Sequence, residues 1–412
     1  RPDELSCFDL GAGPRLFFRA ATVAGGPGVW VSDGTPAGTQ LLADIEAGPL
    51  PSTPAYTTRI GGRVVFAASE TTIGRELWVT DGTTNGTVLL ADPEPAFQTR
   101  GSNPFWAART AFDGEFLLFE ADDGRHGREL HALRNGQSQL VLDIRTGTGS
   151  SNPRDFAALF DGRQTRFLFR AEDSSAGAEL WVTDGTAAGT TRLDIEPGPA
   201  GSGPSWFTPL PGGGMVFSAT TSADGRELWF TNGTRAGTRL LVDLFPGHRT
   251  DDSNADLTST ATANGSQFYF SAKQPRRPGK LYRLHTSSIQ LVKDFQPTPF
   301  GGARNFVELG GSRSRMVFEA HAPHMQLWVT DGTAVGTTGL TNLLSSEMIR
   351  FGNQVFFVGH DAAHGRELWA TDGTASGTRL AADIRPGPNG SFPSQFVTWG
   401  QRLVFVAHDS HF

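Results

Sequence analysis

The chain has 412 residues, with 51 Gly, 25 Pro, one cysteine (Cys7) and a formal net charge of −7. The acidic balance, without an Arg/Lys stripe, argues against a nucleic-acid binder. One cysteine excludes a disulfide framework, no apolar run reaches the ~18 residues of a membrane span, and 38% hydrophobic residues with 30 Phe argue against disorder.

A repeat organises the chain from one end to the other. GVWVSDGTPAGTQLLAD at 28–44 returns as RELWVTDGTTNGTVLLAD at 75–92, AELWVTDGTAAGTTRLD at 178–194 and RELWFTNGTRAGTRLLVD at 226–243. Further copies are QLWVTDGTAVGTTGL at 326–340 and RELWATDGTASGTRLAAD at 366–383, and weaker ones lie at 128–143 and 280–294. The aromatic position is Trp30, Trp78, His131, Trp181, Trp229, Tyr282, Trp328 and Trp369. Each unit reads as four short strands, because apolar and polar residues alternate over four to six positions between turn signals. Gly61-Gly62 and its counterparts suit a tight first-to-second turn. A longer Pro/Gly-punctuated link leaves the fourth strand.

Four-stranded units of 40–50 residues predict an all-β fold, a single β-propeller of about eight blades over 1–412. The units fall at 1–49, 50–99, 100–148, 149–199, 200–249, 250–299, 300–344 and 345–390. A leftover terminal hairpin fills 391–412. The start at Arg1 instead of Met reads as a processed or trimmed chain.

The tract between the third and fourth strands reads as a structural turn, with Asp33, Asp81, Asp184, Asn232, Asp331 and Asp372 bonding backbone N–H groups of their own loops. These motifs resemble the ELWxxDGT repeat family of secreted and cell-surface proteins of myxobacteria and related bacteria. The matching residues include Glu76-Leu77-Trp78, Asp81-Gly82-Thr83 and Gly86-Thr87. The resemblance implies a secreted or cell-surface location and no established chemistry.

Candidate chemistry is sparse. The six repeat tryptophans read as inter-sheet packing, whereas Trp106, Trp206 and Trp399, near first strands, are the candidates for ligand contact. His321, His360 and His408 each follow a second strand, and His364 shares a loop with His360, so these four are the candidate transition-metal ligands. An Asp closes the fourth strand from Asp44 to Asp383 and reads as a turn cap, with Ca²⁺ as the second reading. Arg-Glu pairs at 75–76, 128–129, 226–227 and 366–367 read as surface or inter-blade ion pairs. No catalytic signature is found, and no cofactor is required.

The expected function is therefore non-enzymatic. It is a secreted or cell-surface scaffold that binds a protein or polysaccharide in adhesion or extracellular assembly, with a homo-oligomer left open. A multivalent lectin with shallow glycan sites is the second reading, and a propeller glycoside hydrolase or lyase the third.

Overall fold

The computed structural model describes residues 2–409 apart from 12, 22–25, 44, 47–51, 94–115, 135, 161, 163, 211–212, 245–259, 264–266, 273–278, 286–287, 296–301, 311–314 and 322–324. All regular elements among the described residues are β-strands. The chain divides into two compact units. One is Arg1–Ser205 with Asn232–Thr238 and Trp399–Arg402; the other is Trp206–Thr231, Arg239–Thr398 and Leu403–Phe412.

The first unit holds four antiparallel sheets, each strand pairing with its neighbours in sequence. The first sheet is Asp3–Asp9, Pro14–Ala21, Pro27–Ser32 and Gln40–Ala43. The second is Ala55–Ile60, Arg63–Glu70, Gly74–Thr80 and Val88–Ala91. In the third sheet the described strands are Phe116–Asp122, Arg128–Arg134 and Gln137–Leu142, equivalent to second, third and fourth strands elsewhere. The fourth is Arg154–Phe160, Thr165–Glu172, Ala178–Thr183 and Thr191–Leu193.

The remaining sheets lie mainly in the second unit and repeat the pattern. The fifth is Ser205–Pro209, Met215–Thr221, Gly225–Thr231 and Arg239–Val242. The sixth is Thr260–Ala263, Gln267–Ala272, Lys280–His285 and Ser288–Asp294. The seventh is Ala303–Leu309, Arg315–His321, Met325–Thr330 and Thr338–Thr341. The eighth is Leu344–Phe351, Gln354–Asp361, Gly365–Thr371 and Arg379–Ala382. A two-stranded hairpin, Ser394–Trp399 with Arg402–Val406, follows.

The core of each sheet is an aromatic pair fixed by register. Second-strand Phe66, Phe169, Phe217, Phe318 and Phe357 stand opposite Trp78, Trp181, Trp229, Trp328 and Trp369. Phe119 and Phe270 stand opposite His131 and Tyr282 in the two units whose repeat is weakest. All seven phenylalanines are 0% exposed. Burial on both faces explains why the second strands read as continuous apolar runs, and each buried Phe contributes about 2–3 kcal/mol.

The DGTxxGT tract closes each long hairpin through its own side chains. Asp81 Oδ1 accepts both the Thr83 N–H (2.9 Å) and the Thr83 hydroxyl (2.7 Å). Thr83 Oγ1 in turn accepts the Gly86 N–H at 3.0 Å, and the Thr87 hydroxyl donates to Thr83 O at 2.7 Å. The same bonds recur around Asp33, Asp184, Asp331 and Asp372, and Asn232 reproduces them through its amide oxygen. A Cβ on Gly86 would sit 2.0 Å from Asp81 Oδ1, so the position excludes side chains.

Candidate functional site

The repeat glutamate is not a surface charge. Glu76, Glu129, Glu179, Glu227 and Glu367 are 0% exposed, so the expected ion pairs with the preceding arginines are corrected. The carboxylates of Glu129, Glu179, Glu227 and Glu367 reach the link leaving the fourth strand and cap its backbone. Glu129 accepts the N–H groups of Ile144, Arg145 and Ser151 and the Ser151 hydroxyl. Glu179 does the same with Ile195, Glu196 and Ser202. Glu367 takes Ile384, Arg385 and the Ser391 hydroxyl. A carboxylate with three or four donors satisfies link N–H groups that would otherwise be orphaned. In the first sheet Gly28 occupies this position, and the Ser52 hydroxyl donates to Pro27 O instead. The signal was in the sequence, as a Ser 22 to 24 residues after the Glu, but its meaning required the fold.

The four candidate metal ligands have different local partners. His321 and His360 sit in second strands opposite Met325 and Arg366. The His408 N–H donates to Ser391 O at 2.7 Å. His364 Nδ1 bonds Asp361 at 2.9 and 3.0 Å, closing the turn before the third strand and raising the imidazole pKa. Asp123 and His126 make the same pair in the third sheet. Among the described residues no group of three or more His, Cys, Asp or Glu is placed to hold a metal ion. Of the closing aspartates, Asp44 lies outside the described residues, and Asp143 Oδ2 accepts the Gly147 N–H at 3.1 Å.

The three candidate ligand-contact tryptophans part ways. Trp106 lies outside the described residues. Trp399 packs on the first sheet: its indole N–H donates to Pro14 O at 2.9 Å, and a Cβ on Gly34 would meet its ring at 2.4 Å. Trp206 alone remains open, 55% exposed.

Trp206 occupies a position that composition could not reveal. In six of the sheets or hairpins one first-strand residue adopts a left-handed backbone: Glu4 (φ 54°), Asp155 (58°), Trp206 (61°), Asn305 (52°), Glu347 (42°) and Gln395 (57°). Register shifts mark bulges there in the first, fourth, seventh and eighth sheets. The bulge turns the next residue onto the second strand. Phe156, Phe207, Phe306 and Phe396 thus pack on Phe169, Phe217, Phe318 and Phe405 with ring centroids 5.3–5.6 Å apart. Five of the six bulge residues are exposed and Gln395 is half-buried, and left-handed geometry at a non-glycine residue costs about 1–2 kcal/mol.

In the second unit Asn305, Glu347 and Gln395 lie on neighbouring strands. The first strands of the sixth, seventh and eighth sheets run side by side. Glu347 Oε2 accepts the Gln395 N–H at 2.8 Å, bringing the hairpin next to the eighth sheet. Asn305 Nδ2 and Arg304 Nε both donate to Glu319 Oε2 at 3.0 Å. Burial of Glu319 raises its pKa, with Arg304 opposing. In the first unit, Arg19 clasps Asp3 beside Glu4 through Nε–H···Oδ1 (2.6 Å) and Nη2–H···Oδ2 (2.5 Å) bonds.

No family model matches the sequence, and no curated protein matches it. Solved structures do. A puromycin-hydrolyzing peptidase of Mycobacterium tuberculosis is 14% identical, with a TM-score of 0.42 over 86% of this chain and 57% of its own. A prolyl endopeptidase is 11% identical, with a TM-score of 0.46 over 86% and 49%. A puromycin hydrolase is 15% identical, with a TM-score of 0.39 over 89% and 60%. The chain thus spans about half to three-fifths of the length of these solved chains. Likeness at this level assigns no activity to this chain.

These comparisons do not bear out the expected non-enzymatic adhesion scaffold, with its lectin and glycosidase alternatives: the similar structures are peptidases. The physical reason for the error is that a repeat able to build sheets explains the sequence without choosing a function. The same sheets serve scaffolds and parts of enzymes alike.

Proposed function

We propose that the sheets are successive blades of a β-propeller with their first strands toward its axis, and that the bulge residues on the first strands of the second unit bind an extended peptide. The observation that carries this reading is the left-handed position itself, which in the second unit presents Asn305, Glu347 and Gln395 in three places and Trp206 in the fourth. Carboxylates accept hydrogen bonds, and carboxamides both donate and accept. A lining of both kinds matches a peptide backbone, which offers N–H and C=O in alternation. Trp206 adds an apolar platform for one side chain. The chain's part is transient recognition of a peptide, and no catalytic set is assigned to it.

A pool of unstructured hexapeptides, titrated against the protein while indole fluorescence is followed, tests this. The expected result is a saturable change that disappears in Trp206→Ala and weakens in Asn305→Ala, with the circular dichroism of both variants unchanged. A signal that persists in Trp206→Ala, or no saturable signal at ~1 mM peptide, a concentration equivalent to about −4 kcal/mol, overturns the reading.

A further inference from the structure

One pair of positions recurs where the first strand turns into the second. Ile60 stands opposite Arg63 as Leu159 does opposite Arg166 and Leu309 opposite Arg315. In the fourth and seventh sheets the arginine reaches the repeat turn of the following sheet. Arg166 donates to Gly233 O at 3.0 Å and Asn232 O at 3.2 Å, and Arg315 to Gly373 O at 3.3 Å and Asp372 O at 3.1 Å. The turn glycine lies against the paired leucine. A Cβ on Gly233 would meet Leu159 at 2.8 Å, and one on Gly373 would meet Leu309 at 2.9 Å. The loop of one sheet thus covers the apolar end of the sheet before it.

The third sheet has no such loop to lay over the second. Its third strand ends at Arg134 and its fourth begins at Gln137, whereas Thr80 and Val88 bound the full tract in the second sheet. A cleft of about 550 Å³ lies there, over Ile60, Val65, Val79, Leu90 and Leu133, with Arg63 and Asp81 exposed at its rim. The sixth sheet's hairpin is shortened too, but the fifth sheet before it is built differently. Phe230 stands where the second sheet has Val79, and Gly214 where it has Arg63. The Phe230 ring would be 2.4 Å from a Cβ on Gly214, so an aromatic covers that position.

The two rim charges do not neutralise each other. In the first sheet Arg15 and Asp33, at the same two positions, form an ion pair at 3.3 Å. Arg63 and Asp81 form none with each other or with another described residue, and the Arg63 guanidinium has no hydrogen bond to a described residue. Asp81 Oδ1 accepts the Thr83 hydroxyl and N–H, which hold its carboxyl below the usual range and keep it ionised at neutral pH.

We propose that this cleft binds a free apolar α-amino acid as its zwitterion, with Arg63 on the carboxylate, Asp81 on the ammonium and the side chain against Val65, Val79 and Leu133. The guanidinium fork that takes two carbonyl oxygens in the fourth and seventh sheets suits the two oxygens of one carboxylate. An apolar floor with a few convergent polar groups is the usual form of a small-molecule site. The site is independent of the peptide reading of the first-strand bulges.

L-Phenylalanine titrated against the full chain by calorimetry tests the assignment, beside N-acetyl-phenylalanine, which lacks the ammonium, and phenylalaninamide, which lacks the carboxylate. Saturable binding of phenylalanine is expected with a Kd at or below ~1 mM, and each analogue should bind about tenfold more weakly. Arg63→Gln should abolish the preference over the amide, and Asp81→Asn the preference over the N-acetyl compound. Both variants should fold with circular dichroism unchanged. Gln354 already holds the Arg63 position in the eighth sheet, and Asn232 closes the fifth sheet's turn as Asp81 does the second's. No saturable binding at ~10 mM phenylalanine, equal binding of the three ligands, or preferences unchanged in the variants overturns the proposal. Tighter binding of the N-acetyl compound than of phenylalanine would mark a simple anion site and overturns it as well.

Discussion

The Ser202 hydroxyl donates to Glu179 Oε2 across 2.7 Å, tying a third strand to the link that leaves the same sheet. The pair is fully buried, and Glu179 also accepts three backbone N–H groups. Removing the carboxylate therefore orphans several donors at once. Glu179→Ala should destabilise the fold by about 3 kcal/mol and Ser202→Ala by about 1 kcal/mol, read from urea midpoints. Equal effects would show that the carboxylate has no special place in the link.

The turn chemistry predicts a contrast between two glycines of one sheet. Gly86→Ala drives a Cβ into Asp81 and should cost roughly 2–3 kcal/mol, while Gly62→Ala, with nothing within 4 Å, should stay within about 0.5 kcal/mol of the parent. Denaturant midpoints of the two variants decide it.

Left-handed backbone in the first strands should be relieved by glycine. Asp155→Gly is expected to hold or raise stability by about 0.5–1 kcal/mol, because glycine accepts φ near 58°. Asp155→Val, β-branched, should lower it by about 1–2 kcal/mol. A Val variant as stable as the Gly variant would place the bulge elsewhere.

His131 replaces the repeat tryptophan and is buried with both ring nitrogens lacking partners. Burial lowers its pKa from 6.5 to about 4. The unfolded chain then binds the extra proton first, so stability should fall as pH drops from 6.5 toward 4. His131→Phe should remove that part of the acid sensitivity and stabilise the fold, measured by urea midpoints at pH 4.5 and 7.

Glu227 tests the opposite sign. Burial raises its carboxyl from 4.5 to about 8, helped by Asp243 and Asp224, while Leu244 N–H opposes. Its contribution is fully present below pH 4.5 and is lost as pH rises toward 8. Glu227→Gln should flatten that decline. An unchanged slope would mean that this carboxylate is ionised in the fold at neutral pH.

Strands, turns and repeat period were legible in the sequence because they follow from local chemistry. Alternation sets the strands, and Asp81, Thr83 and Gly86 close their turn through contacts a few residues apart. The roles of Glu179 and Trp399 were not legible. A charged residue beside Arg or Ala reads as surface until a link of the same sheet, 23 positions on, is seen to surround it. Trp399 is an aromatic like any other until its indole meets Pro14, 385 positions away. Trp206 shared its apparent promise with Trp106 and Trp399, and only the left-handed backbone at one first-strand position turned it outward. Local periodicity determined which elements form. Long-range packing decided which polar groups are buried and capped and which side chains remain free to meet a ligand, because burial is a property of neighbours that the chain brings together only on folding.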